Sequence, residues 1–233
     1  MAWRSSGATN RELIENLWRN SLITDQRVKD AFLTVDRAHY APRAPYADNP
    51  QSIGHRATIS APHMHATAAG SLLNFVSPTP ERPAPRVLDV GSGSGYLTHV
   101  LGELAGPQGV VVGLEHIDAL RALGEGNMSK SEEGRAMLAS GRVRFRVGDG
   151  RKGWREDGAG DEGWDAIHVG AAAVTLHQEL LDQLKAPGRL FIPVEDEDGN
   201  QYVWAIDKKA DGSLEKKRLF GVRYVPLTDA PTD

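Results

Sequence analysis

Nine residues constrain this chain more than any others: Val87-Leu88-Asp89-Val90-Gly91-Ser92-Gly93-Ser94-Gly95, a short apolar strand that runs into a glycine-rich turn. Helical character resumes at Tyr96, and Gly106-Pro107 ends that helix. Three glycines at alternating positions let the backbone turn tightly and come close to a ligand, because no Cβ intrudes and positive φ costs little. A strand, turn and helix of this kind read as a nucleotide-cofactor site. The turn alone is a weak signal, since alternating glycines also occur in ordinary loops.

Context strengthens it. Residues 109–114 read as a second buried strand, with Glu115 at its C-terminal end, about 20 residues beyond the last loop glycine, where an acid can accept ribose hydroxyls. Residues 142–147 read as a third strand leading into Gly148-Asp149-Gly150, and residues 164–169 as a fourth leading into Gly170-Ala171-Ala172. In open α/β sheets ligands bind beyond the carboxyl ends of the strands. The expected fold class is therefore α/β and Rossmann-like, a mostly parallel twisted sheet.

The spacing bears on which cofactor is bound. A dinucleotide fingerprint reads G-x-G-x-x-G, so that a helix N-terminus receives a pyrophosphate. Here it is G-x-G-x-G, and Tyr96 occupies the position of the helix-packing glycine. Asp89, two residues before Gly91, would sit badly beside a pyrophosphate and suits a cationic ligand, such as the amino-acid part of S-adenosyl-L-methionine. That cofactor is the first reading, with a dinucleotide second and a purely structural turn third.

A chain of 233 residues is long enough for one α/β domain with a full core, and a single domain over residues 1–233 is the expectation. Within it, residues 1–80 read as an N-terminal helical extension and residues 81–233 as the Rossmann-like core. A net charge of -4 gives no basic footprint for nucleic acid, and the basic runs Lys208-Lys209 and Lys216-Lys217-Arg218 read as solvated hairpin faces. No stretch approaches a membrane span, and the first six residues lack the apolar core of a secretory signal. A cytoplasmic protein with no nucleic-acid or membrane partner is expected. It is expected to be a monomer, because no exposed apolar stripe stands out. Cysteine is absent, which removes disulfides, thiolate nucleophiles and cysteine-ligated metals together. His63 and His65, two residues apart, fall on different sides of a helix turn, so no shared metal is expected.

Along the chain, residues 1–10 read as a short mobile arm. Leu13, Ile14, Leu17 and Trp18 give one helical stripe, and Val28, Ala31, Phe32 and Val35 give another behind Thr24 as N-cap. Pro42, Pro45 and Pro50 impose an extended, turn-rich path. Ser60 stands at or beside the N-terminus of a helix with Pro62 in its first turn and Met64, Ala68, Leu72 and Phe75 along it. Residues 124–141 suggest a helix with a long connection, residues 155–163 another loose segment, and residues 176–184 an amphipathic helix. Residues 189–194 form a fifth strand, and residues 201–207 and 214–224 an antiparallel edge hairpin around Asp211-Gly212.

Five stretches, in order along most of the chain, give a resemblance. They are Pro50-Gln51-Ser52-Ile53-Gly54, Ala57-Thr58-Ile59-Ser60-Ala61-Pro62-His63-Met64-His65-Ala66, the glycine loop from Asp89 to Gly95, Gly148-Asp149-Gly150-Arg151, and Tyr224-Val225-Pro226-Leu227-Thr228-Asp229. On these the chain resembles the protein-L-isoaspartate (D-aspartate) O-methyltransferases, enzymes that repair damaged aspartyl and asparaginyl sites. Many methyltransferases share the glycine loop, whereas the run from Thr58 to Ala66 is specific to this family.

The resemblance implies a class I S-adenosylmethionine-dependent methyltransferase fold, isoaspartyl-containing proteins and peptides as partners, and S-adenosyl-L-homocysteine as product. It implies that Ser60 is catalytic, offering its hydroxyl to the substrate carboxylate, and that Thr58, Ile59 and His65 line the same pocket between substrate and cofactor. Gly91, Gly93 and Ser94 would meet the methionine part, with Asp89 beneath them. Glu115 would take the ribose, Gly148 would permit close approach, and Asp149 would take the adenine amino group; His116 and Thr228 complete the cofactor set. The plainer readings are that Ser60 is a helix cap, His65 a core histidine and Asp149 a turn residue. Two departures stand out: the family's eukaryotic branch usually continues a few residues beyond the position of Asp233, and Lys185-Ala186-Pro187-Gly188 replaces a common glycine pair. The loops at 129–141 and 155–163 look enlarged.

The chemistry is consistent with few catalytic groups. An isoaspartyl residue carries a free α-type carboxyl with a reference pKa of about 3.3–3.7, already an anion at neutral pH. The nucleophile needs no general base, and what remains is positioning and desolvation.

Overall fold

The computed structural model describes residues 5–156 and 162–229. Two helices come first, α1 (Asn10–Arg19) and α2 (Gln26–Thr34). The Thr9 side chain caps α1, and Asp25, not Thr24, caps α2 by accepting from the Arg27 N–H. The expected mobile arm is, from Ser5 onward, tied down: the Gly7 N–H donates to the Tyr46 carbonyl, and Asn16 and Asn20 donate to Ser6 and Ser5. The first four residues lie outside the described part.

A two-stranded antiparallel ribbon follows, β1 (Gln51–Gly54) and β2 (Ala57–Ile59), an element the prolines had masked. Its turn holds Gly54, His55 and Arg56 at φ of +89°, +49° and +57°. Two successive non-glycine residues in the left-handed region are strained, and such strain gathers at ligand-binding edges. Helix α3 (Pro62–Val76) starts directly after β2 with proline in its first turn.

The main sheet has seven strands in the order β5-β4-β3-β6-β7-β8-β9. These are β3 (Arg86–Val90), β4 (Val110–Glu115), β5 (Val143–Val147), β6 (Trp164–Val169), β7 (Leu184–Glu195), β8 (Gln201–Lys208) and β9 (Leu214–Val222). The first five in that order are parallel and the last two antiparallel. The chain runs outward from β3 through β4 to β5, then returns to the other side of β3 with β6. This reversal opens a crevice at the carboxyl ends of β3, β4 and β6, where a ligand can enter.

Both faces of the sheet are covered, which is why its central strands read as continuous apolar runs. Val87, Val111, Val143 and Ala166 pack with α1, α2, α3 and α4 (Tyr96–Leu104) into one core. Leu88, Val112, Ile167 and Leu190 point to the other face, under α7 (Gln178–Gln183), which is shorter than its sequence pattern suggested. The 124–141 segment is two helices, α5 (Asp118–Met128) and α6 (Glu132–Ala139), so most of the apparent enlargement at 129–141 is a capped helix, with Ser131 accepting from the Gly134 N–H. Part of the 155–163 loop lies outside the described residues. Lys216, Lys217 and Arg218 lie exposed on β9, as expected of a solvated hairpin. Among the described residues no helix is long and apolar enough to cross a membrane.

Candidate active site

The glycine loop after β3 is built as its sequence demands. Gly91, Gly93 and Gly95 have φ of +76°, +48° and +82°. At Gly95 a Cβ would also stand 2.8 Å from the Gly124 carbonyl oxygen, so glycine there sets the approach of α4 to α5. The Gly91 and Ser92 N–H groups donate to the Leu114 carbonyl at 2.8 and 3.2 Å, binding the loop to the end of β4.

Glu115 closes that end. Its buried carboxylate accepts from the Gly93 N–H at 3.0 Å, the His116 N–H at 2.8 Å and the Ile117 N–H at 3.3 Å. Beneath the loop, Asp89 is 1% exposed and accepts from Thr98 Oγ1 at 2.6 Å and His168 Nδ1 at 2.7 Å. The His168 ring stacks on Phe191 with centroids 5.8 Å apart.

Two adjoining cavities occupy the crevice. The larger, of about 350 Å³, is walled by Gly91, Gly93, Glu115, His116, Gly148 and the segment Val225 to Asp229, with His55, Arg56 and Thr58 across from them. That volume lies within the range of small-molecule sites. The smaller, of about 30 Å³, is walled by Thr58, Ile59, Ser60, His65, Asp89, Ser94 and His168. Thr58, Gly91, Gly93 and Gly170 border both, so the two spaces share a wall.

The C-terminal segment lies over the larger cavity through backbone bonds, with the Ala172 N–H donating to the Val225 carbonyl at 2.8 Å and the Leu227 N–H to the Ala172 carbonyl at 2.7 Å. His116 Nδ1 donates to the Thr228 carbonyl at 2.9 Å, and Arg151 pairs with both Asp149 and Asp229.

The crevice thus holds a space of small-molecule size with a second, tighter space beside it, and the comparisons name the lineage. The profile of the family "Protein-L-isoaspartate(D-aspartate) O-methyltransferase" matches residues 8–232. The chain belongs to the protein-L-isoaspartate (D-aspartate) O-methyltransferase family. Among curated relatives, the Caenorhabditis elegans protein-L-isoaspartate O-methyltransferase is 48% identical over 98% of this chain and 96% of its own. The Triticum aestivum protein of the same name is 42% identical over 94% and 91%. The crystal structure of a Plasmodium falciparum protein-L-isoaspartate O-methyltransferase in complex with S-adenosyl-L-homocysteine superposes with a TM-score of 0.85 at 34% identity, covering 95% of this chain and 99% of that one.

Around these two cavities the fold brings together twelve of the thirteen residues marked in the sequence. Gly91, Gly93, Glu115, His116, Gly148, Thr228 and Thr58 line the larger cavity, while Ile59, Ser60, His65, Asp89 and Ser94 line the smaller. Asp149 is the exception. Gly148 and Gly150 face the cavity, but the Asp149 carboxylate accepts from the backbone and guanidinium of Arg151, whose hydrogen bonds hold its pKa below the usual value. Its turn-residue reading therefore describes what the side chain does here. Ser60 behaves in the opposite way: Ala61 is the N-cap of α3 and makes no side-chain cap bond, so the Ser60 hydroxyl is not a helix cap.

Four participants escaped the sequence reading. His55 and Arg56 line the larger cavity from a hairpin turn that no glycine pair announced. His168 borders the smaller one; a histidine within an otherwise apolar strand was the available clue. Arg37 gave no clue at all. It is fully buried behind the small cavity, with Nη2 donating to the Ser60 carbonyl at 2.7 Å and Nη1 to His65 Nδ1 at 3.3 Å. Burial lowers its pKa to about 10, which leaves it charged at neutral pH. Burial, and then the Arg37 charge, hold His65 well below the ordinary histidine value. The Tyr224 phenol, turned toward Ser60, is pushed up by burial to about 12 and stays protonated. His63 is engaged elsewhere, its ring 2.8 Å from Asp48, and among the described residues no cluster could hold a metal ion.

Proposed function

We propose that this chain methylates the free α-carboxyl group of L-isoaspartyl residues in damaged proteins and peptides, with S-adenosyl-L-methionine as methyl donor and S-adenosyl-L-homocysteine as product. The β-carboxyl of D-aspartyl residues is a second substrate of the same chemistry. The ester then closes to a succinimide, which opens in part to an ordinary aspartyl residue. The observation that carries this reading is the pair of adjoining cavities with Ser60 and Thr58 in the smaller one, reached from a larger one built on the glycine loop.

The residues fit the cofactor. Gly91 and Gly93 present bare backbone at positive φ, Ser92 Oγ is a buried hydroxyl without a protein partner, and Glu115 is a carboxylate oriented by three N–H groups, with about one acceptor site left for a ribose hydroxyl. Asp89 supplies negative charge below the loop, where the cofactor's cationic amino group belongs. Gly148 and Gly150 admit the flat base, Asp149 takes its amino group by turning its carboxylate from Arg151, and His116 and Thr228 close that end. When bound, S-adenosyl-L-methionine supplies an electrophilic methyl group on a sulfonium, which leaves as the neutral thioether once the carboxylate oxygen has taken the methyl.

The chain's own groups have the remaining work. No base is needed, because the acceptor is an anion at neutral pH. Ser60 and Thr58 orient that anion at the shared wall, and holding two reactants in line supplies about 7–11 kcal/mol in favourable cases. The apolar surroundings of Ile59 and Ala61 remove water from the carboxylate before transfer.

The protein acts as a monomeric, cytoplasmic enzyme with residues 1–233 as one domain, residues 1–80 forming its helical extension and residues 81–233 its core, and with neither nucleic acid nor membrane as partner. The test is labelled methyl transfer to two synthetic peptides that differ only in L-isoaspartyl against L-aspartyl at one site. Label on the isoaspartyl peptide alone supports the reading; label on neither, with S-adenosyl-L-homocysteine binding intact, contradicts it.

A further inference from the structure

Arg37 is a buried cation that no carboxylate touches among the described residues. It lies at 0% exposure in the short turn Arg37–His39 that follows α2. The negative charge that supports it, on buried Asp48, acts without contact, and only one Asp48 oxygen is bound to His63. Burying an unpaired charge is among the costliest choices open to a fold, so an arrangement of this kind calls for a use. The contacts of its guanidinium lead to one place. One nitrogen donates to the Ser60 carbonyl, another to His65 Nδ1, and the guanidinium lies 5.0 Å from the centroid of the Tyr96 ring.

The bond to His65 decides a tautomer. A guanidinium only donates, so His65 Nδ1 must offer its lone pair, and the ring's proton resides on Nε2. Three groups that face His65 work in the same direction: Arg37 from the turn after α2, His168 from β6 and His63 from α3 all disfavour an imidazolium. The Tyr96 ring, 5.2 Å away on α4, adds burial. Asp89, in the same cavity wall, is engaged by Thr98 and His168. The His65 ring makes no other hydrogen bond among the described residues, and it lines the small cavity beside Ser60.

We propose that Arg37 is a positioning residue: it locks His65 as the neutral Nε2–H tautomer and pins the Ser60 carbonyl, so that the small cavity offers a fixed donor to a carboxylate. This rests on the methyltransferase reading for the source of that carboxylate, which is either the isoaspartyl α-carboxyl or the amino-acid carboxyl of the cofactor. Arg37 need touch neither. Its charge also sets a positive potential behind the cavity, which favours entry of an anion and loses its hold on the neutral ester.

The first test needs no variant. Nitrogen NMR of the imidazole groups in the unmutated protein, from neutral pH down to about 6, just under the ordinary histidine value, should show His65 uncharged with its proton on Nε2. A proton on Nδ1, or an imidazolium, overturns the proposal whatever the activity. Failure of the unmutated protein to methylate the isoaspartyl peptide would instead overturn the methyltransferase reading and leave the tautomer assignment standing.

Variants then separate positioning from packing. Arg37→Met should lower kcat/KM for the isoaspartyl peptide by about ten- to hundredfold, the loss of hydrogen bonds from a charged donor. His65 should then titrate at a higher pH, so that kcat/KM acquires an acid limb absent from the parent. Arg37→Lys, which keeps the charge but not the fork, should fall between. A raised peptide KM with unchanged S-adenosyl-L-homocysteine affinity identifies the substrate carboxylate, and weakened S-adenosyl-L-homocysteine binding identifies the cofactor's. Unchanged values of both, with an unchanged pH profile, overturn the proposal.

Discussion

The two walls of this site are made in different ways. The floor of the cofactor wall is local: Asp89, the three loop glycines and Glu115 come from two neighbouring strands and the turn that follows the first, tied by the Gly91, Ser92 and Gly93 N–H groups to the end of β4. The substrate wall is assembled from afar, with Arg37, Ser60, His65, His168 and Tyr224 drawn from four separate segments. The first wall takes its shape from backbone geometry, the second from side-chain hydrogen bonds. Errors in the first should therefore reach the fold as a whole, whereas errors in the second should reach turnover.

The largest effect is expected at the point where the walls touch. Asp89→Ala strands His168 and the Thr98 hydroxyl in the core, and each buried donor left without its acceptor costs about 1–3 kcal/mol. Denaturant unfolding should register that loss together with weak cofactor binding; a fully stable variant would mean that the two walls are independent. Gly95→Ala comes next. It places a side chain at φ +82° and against the Gly124 carbonyl, for about 1–3 kcal/mol, and thermal unfolding should show it with activity falling only in proportion to folded protein. Asp149→Ala should be smallest. With its carboxylate already bound to Arg151 at the cavity rim, removal should weaken S-adenosyl-L-homocysteine only a few-fold, roughly 1 kcal/mol of binding. Calorimetry showing no change would leave Asp149 the cap of its turn and nothing more.

Legibility from sequence followed the same division. The parallel strands, the antiparallel hairpin, the glycine loop and Glu115 were readable because each rests on a short-range pattern: buried apolar runs, positive-φ glycines, an acid at a strand end. The β1–β2 ribbon was not, since its turn uses His55 and Arg56 where hairpins of that length favour Asn or Gly. Arg37 was invisible for a different reason. In Asp36-Arg37-Ala38-His39 an arginine looks like a solvated surface residue, and only the packing of α3 and α4 over it makes it internal. Ser60 lay between the two cases. Its motif marked it, yet whether the hydroxyl capped α3 depended on a one-residue difference in where the helix begins, at Pro62 after Ala61.

That difference supplies the most direct measurement. Ser60→Ala should be assayed twice, by calorimetry with S-adenosyl-L-homocysteine and by steady-state methyl transfer to the L-isoaspartyl peptide, on protein whose thermal unfolding is compared with the parent. Because the hydroxyl caps nothing, stability and cofactor affinity should be unchanged within about 0.5 kcal/mol, while kcat/KM falls by about tenfold or more. Equal loss of cofactor binding and turnover, or undiminished turnover, would contradict the separation of the two walls and remove Ser60 from the reaction.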